Sequence, residues 1–160
     1  INEGQTKEQA IKIYHTSPQE ITEITQDGMF GDVLFFSHDV YVMTSVKNYV
    51  IYELCADDMV FLDVTRLFYD HSPEDGIQEE IDHVIDALGV NQELAESLLE
   101  DSISTYDAGT PNPGEDGWFI QRKQAEISKL LGYDGAEIED EQGTAYAVPM
   151  TGRLHEITRK

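Results

Sequence analysis

Apolar and polar residues alternate over short stretches in the first part of the chain, which is the pattern of half-buried β-strands. Four stretches show it: Ala10–His15, Val33–Phe36, Asn48–Leu54 and Met59–Val64. Thr16, Ser17 and Pro18 follow the first stretch, so His15 is expected at the carboxyl end of its strand. An acidic pair, Asp57-Asp58, is expected to form the turn between the third and fourth strands.

The middle of the chain changes to helical spacing. Ser72-Pro73 has the pattern of a helix start, and apolar residues then recur three or four positions apart over Ile77–Leu88. Gly89 is expected to end this helix, and Asn91 is expected to cap a second one. The two helices are predicted to form a hairpin within an insertion at about residues 72–106.

The end of the chain combines a loop, a helix and a hairpin. Residues 108–117, AGTPNPGEDG, are expected to be a long loop because Gly and Pro recur there. A helix is expected over Trp118–Leu131, with Trp118 as a core anchor. Three further strands are expected at Gly135–Glu139, Thr144–Met150 and Leu154–Ile157. This mixture of elements predicts one α+β domain over residues 1–160.

The net charge of the chain argues against some classes of binding partner. Ten Lys and Arg residues stand against 32 Asp and Glu residues, and the formal net charge is -22. Such a surface repels phosphate backbones and anionic lipid, so direct binding to nucleic acid or to a membrane is not expected. The acidity fits a simple role in solubility, and it also fits a protein partner with a basic surface.

The sequence lacks the motifs of several common functional sites. Neither G-x-G-x-x-G nor G-x-x-x-x-G-K-[ST] occurs, and the five histidines lack zinc-ligand spacing, so no metal site is expected. The acidic run of Glu137, Glu139, Asp140 and Glu141 could hold a cation, but a solvated acidic turn is expected. Cys55 is the single cysteine and is expected in the core, which fits a reducing cytoplasm. No apolar stretch has the length of a membrane span, and no export leader is recognised at the start.

Three segments together resemble the NAD-dependent ADP-ribosyltransferase superfamily, in the branch whose first motif carries His. They are IYHTS (13–17), FGDVLFFSHDVY (30–41) and GYDGAEIEDEQGTAYAVPM (132–150). Their order and spacing are similar to phage-type anti-CRISPR ADP-ribosyltransferases that act on the type I-F CRISPR surveillance complex. The resemblance implies a split, mixed and antiparallel β-sheet core with a helical insertion. It also implies NAD as co-substrate and mono-ADP-ribosylation of a surveillance-complex subunit in the cytoplasm of a bacterial host.

The resemblance assigns roles to residues of the first two segments. His15 would hydrogen-bond the NAD ribose, and the backbone of Thr16 would hold the nicotinamide amide. Phe35, Ser37 and Tyr41 would complete the nicotinamide site, with Tyr41 stacking on the ring. Breaking the bond between nicotinamide and ribose builds positive charge on the ribose, so a stacking wall, ribose donors and a carboxylate are the groups required.

The position of the catalytic carboxylate departs from the family pattern. Family members often place a catalytic Glu directly before the aromatic residue of the last strand, and here Ala145 stands before Tyr146. Glu141 and Asp140 at the preceding turn are the next candidates, with Glu141 preferred. Asp116 and Glu115, in the loop before Trp118, are further candidates for the acid, because this loop could close over bound NAD and bring Asp116 into contact with it.

Other interpretations stay open for the same residues. His15 could be a hydrogen-bonded core or edge histidine, and Arg66 or Arg122 could bind the NAD pyrophosphate or neutralise neighbouring acids. The chain could instead be a non-catalytic acidic protein that blocks a nucleic-acid-binding surface. It could also be a transferase toxin with a host target outside CRISPR. Dependence on NAD separates the binding protein from both enzymes.

Overall fold

The fold combines β-strands and α-helices, and the computed structural model describes residues 11–17, 21, 32–38, 50–140 and 143–159, with the backbone alone for Asp140. The strands are β1 (Lys12–Ser17), β2 (Val33–Phe36), β3 (Val50–Cys55), β4 (Phe61–Asp63), β5 (Gly135–Asp140), β6 (Gly143–Pro149) and β7 (Ile157–Arg159). The α-helices are α1 (Leu67–Asp70), α2 (Gln78–Leu88), α3 (Gln92–Leu99), α4 (Thr105–Ala108) and α5 (Pro113–Leu130). The α+β class expected from the sequence is confirmed.

The described strands form two sheets. The first sheet has the order β1-β3-β7, and the second has the order β2-β6-β5-β4. Neighbouring strands are antiparallel, apart from β4 and β5, which run parallel. Tyr14 and Ser37 exchange two backbone hydrogen bonds, with N–O distances of 2.7 and 2.9 Å. The first sheet therefore meets the second next to His15.

The second sheet has two apolar faces, because successive residues of a strand point to opposite sides. One face packs against α5 through Val33, Ala136, Ile138, Ala147 and the helix residue Ala125. The opposite face packs against the first sheet through Phe36, Val148, Ile13 and Leu54. We call the region between the two sheets the inter-sheet space. A shift of one residue in strand register would exchange the two faces, so the register decides which side chains line this space.

The helices α2, α3 and α5 surround a separate apolar core. Its fully or nearly fully buried residues include Ile81, Val84, Leu88, Leu98, Leu99, Ile120 and Ile127. The side chain of Asn91 accepts a hydrogen bond from the Leu94 amide at 2.8 Å, which caps α3. Gly89 ends α2 with a φ of 68°, a backbone conformation that glycine adopts without steric cost. The predicted helical hairpin is confirmed.

Three expectations from the sequence are wrong. Residues 108–117 are not a long loop, since α5 begins at Pro113, and proline suits a first helical turn that leaves its amide groups unbonded. Trp118 is not a core anchor, because it is 48% exposed. Cys55 is exposed at the end of β3, since its neighbour Leu54 takes the inward position and alternation turns Cys55 outward.

Strand ends differ from expectation by about two residues. β1 continues to Ser17, so His15 lies inside the strand and pairs with Tyr52 of β3. The last strand begins at Ile157, because a 3-10 turn occupies Leu154–Glu156. Among the helices described, none is both long and apolar enough to cross a lipid bilayer.

Candidate functional site

His15 lies at the edge of the inter-sheet space. It shares a strand face with the buried Ile13, and its ring centroid is 5.7 Å from that of Phe36. Its Nδ1 is 2.8 Å from the carbonyl oxygen of Phe35. A carbonyl can only accept, so Nδ1 carries the hydrogen and donates it. Burial lowers the pKa of His15, against the opposing effect of this hydrogen bond. The neutral ring therefore presents Nε2 as an acceptor.

A row of side chains continues from Phe36 across the second sheet. Phe36 of β2 pairs with Tyr146 of β6, Tyr146 pairs with Glu137 of β5, and Glu137 pairs with Asp63 of β4. Paired residues on neighbouring strands project to the same face. Phe36 and Tyr146 pack between the two sheets, so the row lies on the face of the second sheet that meets the first sheet, with His15 next to Phe36 and Glu137 two strands further across. We call it the Phe36–Glu137 row.

Tyr146 is held firmly in the centre of this row. Its hydroxyl is 2.8 Å from Nε2 of His38, and the His38 ring stands edge-on to it at 5.2 Å between centroids. The Phe61 ring lies 4.6 Å from the Tyr146 ring. Burial, followed by the charges of Glu137 and Glu139, raises the pKa of Tyr146. Tyr146 therefore presents a neutral aromatic ring with a polar hydroxyl at one end.

Glu137 is a half-buried carboxyl group beside Tyr146. Burial raises its pKa, the charges of Asp63 and Glu139 raise it further, and His38 lowers it. Glu139, two residues along β5, is exposed, and its carboxylate accepts a hydrogen bond from the Thr144 hydroxyl at 2.5 Å. Among the described carboxylates of the last hairpin, Glu137 is thus the one that lies beside the aromatic residues of the inter-sheet space.

The geometry explains the alanine before Tyr146. Ala145 pairs with Ile138, and Ile138 packs against the face that contacts α5. A carboxylate at position 145 would therefore project away from His15, toward the helix. Side chains alternate along each strand, so the hairpin residues on the side of His15 are Tyr146, Glu137 and those two positions away from them. An acid missing at position 145 does not remove acids from the inter-sheet space.

The structure brings only some of the predicted residues together. Thr16 follows His15 in β1 and pairs with Ile51, and Ser37 forms the bridge to Tyr14. The Phe35 ring lies on the α5 side of the second sheet, while its carbonyl holds His15. Two further predicted residues, Tyr41 and Glu141, lie outside the described residues, as does the side chain of Asp140.

Asp116 is part of a helix and not of a closing loop. It occupies the first turn of α5, where its carboxylate accepts a hydrogen bond from the Asn112 amide at 3.0 Å. Arg66 pairs with Asp70 at 3.1 Å, and Arg122 pairs with Glu126 at 3.2 Å. In the part of the chain described, no group of three or more His, Cys, Asp or Glu side chains is arranged to hold a metal ion.

Sequence reasoning missed Glu137, Tyr146 and His38 as members of the group that extends from Phe36, the ring next to His15. The signal was present in the predicted hairpin. Glu137 and Glu139 alternate with Ala136 and Ile138, which shows that the two acids share the polar face of β5. The missing information was the register with β6, which pairs Glu137 with Tyr146.

Comparison with known proteins identifies one informative likeness. No protein-family model matches the chain, and no curated protein matches it. A solved structure described as the crystal structure of an anti-CRISPR protein aligns with a TM-score of 0.55 and 21% sequence identity. The alignment covers 96% of this chain and 97% of that chain. The two proteins therefore share an overall fold over nearly their full lengths.

Proposed function

We propose that this chain is an anti-CRISPR ADP-ribosyltransferase that uses NAD to modify a protein of the type I-F CRISPR surveillance complex. The observation that carries the proposal is the Phe36–Glu137 row, which connects His15 to a carboxyl group through an aromatic wall. The fold shared with an anti-CRISPR protein and the resemblance of the three sequence segments support it further.

The groups around the inter-sheet space suit the nicotinamide riboside part of NAD. Nε2 of His15 accepts a hydrogen bond from a ribose hydroxyl, because Nδ1 is committed to Phe35. Tyr146, which is only partly buried, supplies flat apolar surface for the nicotinamide ring, and the buried Phe36 supports the His15 ring. Glu137 supplies negative charge toward the ribose. Backbone groups of Thr16 are the proposed partners of the nicotinamide amide.

The reaction exchanges one bond at the ribose C1′ atom for another. The bond from C1′ to the nicotinamide nitrogen breaks, and its electron pair leaves with neutral nicotinamide. A nucleophilic side chain of the target forms the new bond to C1′, and its proton passes to water. The Glu137 carboxylate stabilises the positive charge that develops on the ribose, an effect that is strongest where water is excluded.

Glu137 takes the catalytic place in this proposal because it is the described acid of the hairpin that pairs with Tyr146, whereas Glu139 on the same face of β5 is exposed and bonded to Thr144. Asp140 and Glu141, which the sequence favoured, stay predictions, since they lie at the turn whose side chains are not described. Replacing each of the three acids separately by its amide assigns the role. The variant that retains NAD binding and loses transfer identifies the catalytic carboxylate.

The proposed activity is tested by incubating purified protein with NAD and the type I-F surveillance complex. The expected result is release of nicotinamide and a gain of one ADP-ribose on a single subunit, measured by intact mass spectrometry. Complex incubated without NAD is the control. Unchanged masses for all subunits, with no nicotinamide released, would reject the proposal.

The formal net charge of -22 favours a second candidate, a non-catalytic protein that blocks a basic nucleic-acid-binding surface. This protein would inhibit DNA binding by the complex without NAD, and inhibition would weaken steeply with added salt. His15→Ala would leave it intact. Inhibition that requires NAD excludes this second function. The same comparison with other purified host proteins tests a transferase whose target lies outside CRISPR.

A further inference from the structure

Two aromatic side chains are exposed where α4 meets the start of α5. Tyr106 is 71% exposed and Trp118 is 48% exposed. Large aromatic residues are usually buried to a greater extent, and at protein interfaces Trp and Tyr contribute an unusually large share of binding energy. The packing of α4 on α5 determines how far apart the two side chains lie.

Small residues allow α4 to lie closely against the first turns of α5. The Thr105 hydroxyl donates a hydrogen bond to the Pro113 carbonyl at 2.6 Å. A Cβ placed on Gly114 would be 3.5 Å from the Tyr106 hydroxyl, and one on Gly117 would be 3.4 Å from the Thr105 hydroxyl. Tyr106 therefore extends along the first turn of α5.

Trp118 is four residues after Gly114, so it projects from the same side of α5, one turn further on. The two exposed aromatic residues thus lie within about one helical turn of each other. We call this region the Tyr106–Trp118 surface.

The chain around this surface is rich in acidic residues. Residues 67–121 contain 14 Asp and Glu residues and neither Lys nor Arg, and Arg122, one turn beyond Trp118 on α5, pairs with Glu126. Asp107 follows Tyr106, Glu115 lies between Gly114 and Trp118, and both acids are exposed. A partner that covers the two aromatic residues must also approach these carboxylates. A basic protein surface satisfies both requirements, because Arg and Lys pair with carboxylates and stack on aromatic faces.

We propose that the Tyr106–Trp118 surface docks the Arg- and Lys-rich surface with which the target protein holds a nucleic-acid backbone. The identity of the target rests on the proposed function, whereas docking itself requires neither NAD nor transfer. Arg side chains of the target stack on Trp118 and Tyr106, and Asp107 and Glu115 pair with the cations around them. Docking on this surface brings target and enzyme together before any bond is exchanged.

The test measures binding of the purified chain to an immobilised type I-F surveillance complex by interferometry, without NAD. The double variant Tyr106→Ala/Trp118→Ala is expected to weaken binding at least about tenfold. Tyr69→Ala is the matched control, because Tyr69 is 79% exposed but lies on α1 beside Arg66, and it is expected to bind like the wild type. Thermal melts verify that all variants are folded.

A second variant tests the charge. Glu115→Lys is expected to slow association and to reduce the salt dependence of binding, since it reverses an attraction to the basic target. Wild-type affinity for the double variant, or no binding of the wild-type chain to the complex, would overturn the docking surface.

Failure of docking is distinguishable from failure of the proposed activity. Slow release of nicotinamide from NAD by the chain alone reports the chemistry in the absence of any target. A double variant that still releases nicotinamide but no longer binds or modifies the complex supports both proposals. A wild-type chain that binds the complex through this surface and leaves NAD intact supports docking and rejects the enzyme.

Discussion

Replacing Glu137 by Gln is expected to reduce activity and to increase stability at the same time. The carboxyl group is half-buried and pairs across the sheet with Asp63 and Tyr146. Its pKa is raised, first by burial and then by the charges of Asp63 and Glu139. The folded protein at neutral pH therefore carries an electrostatic cost that an uncharged amide of the same shape removes.

The size of both effects follows from the surroundings of the carboxylate. Like charges on opposed strand positions cost roughly 0.2–1 kcal/mol, so Glu137→Gln is expected to gain about that amount in free energy of unfolding at pH 7. Loss of one preorganised electrostatic group in an active site commonly lowers kcat by about 10²–10³-fold. NAD affinity is expected to change little, because the carboxylate acts on charge that develops during the reaction.

The pH dependence has a definite sign. A raised pKa in the folded state means that the folded protein binds the proton more tightly than the unfolded chain. The stability advantage of Glu137→Gln is therefore present at neutral pH and vanishes as the pH falls below about 4.5, the ordinary value for Glu. Transfer by the wild type falls as the pH drops through the raised pKa.

Urea denaturation at several pH values and nicotinamide release measure the two effects separately. Glu139→Gln is the control, since that residue is exposed and bonded to Thr144, and it is expected to retain most activity. Full activity in Glu137→Gln would refute the catalytic role. A stability loss at pH 7 would refute the inference that Glu137 is held at an electrostatic cost.

Three further changes test the fold around the site. Lys123→Ala is expected to destabilise the protein by about 3–5 kcal/mol, because Glu80 and Glu126 each lie 3.1 Å from its Nζ and would lose a nearly buried cation. Breaking the exposed pair of Lys12 and Glu53 is the control, and it should alter the thermal stability little. Gly135→Ala is expected to cost roughly 1–3 kcal/mol in urea denaturation, because its Cβ would lie 2.7 Å from the Ala147 carbonyl; equal stability would show that β5 can move from β6 freely. Since burial lowers the pKa of His15, wild-type protein should lose stability as the pH falls from 7 to 5, and His15→Gln should lose less over the same range; parallel losses would contradict burial of the neutral ring.

Local patterns predicted most of the elements described. The strands at Val33–Phe36 and in the last hairpin, and the capped helices α2 and α3, follow from alternation, helical spacing and the caps at Gly89 and Asn91. The start of α5 was missed because its composition, PGEDG, is typical of loops. Packing of α4 on Gly114 and Gly117 supports a helix there that its own residues do not favour.

The candidate site was harder to predict than the fold. His15 was recognised from its motif. Its tautomer follows from a hydrogen bond to Phe35, which is 20 positions further along the sequence. Glu137 became a candidate only when the register of β5, β6 and β2 was known, because a shift of one residue would turn it toward α5. The pairing of β2 with β6 joins residues more than 100 positions apart, and local patterns do not reveal it.

The proposed NAD site is tested most directly by a crystal structure of the protein grown with NAD. We expect the nicotinamide riboside at the edge of the inter-sheet space, with a ribose hydroxyl at Nε2 of His15, the nicotinamide ring against Tyr146, and Glu137 beside the ribose. NAD density on another face of the protein would contradict the account, as would its absence at NAD concentrations that saturate nicotinamide release.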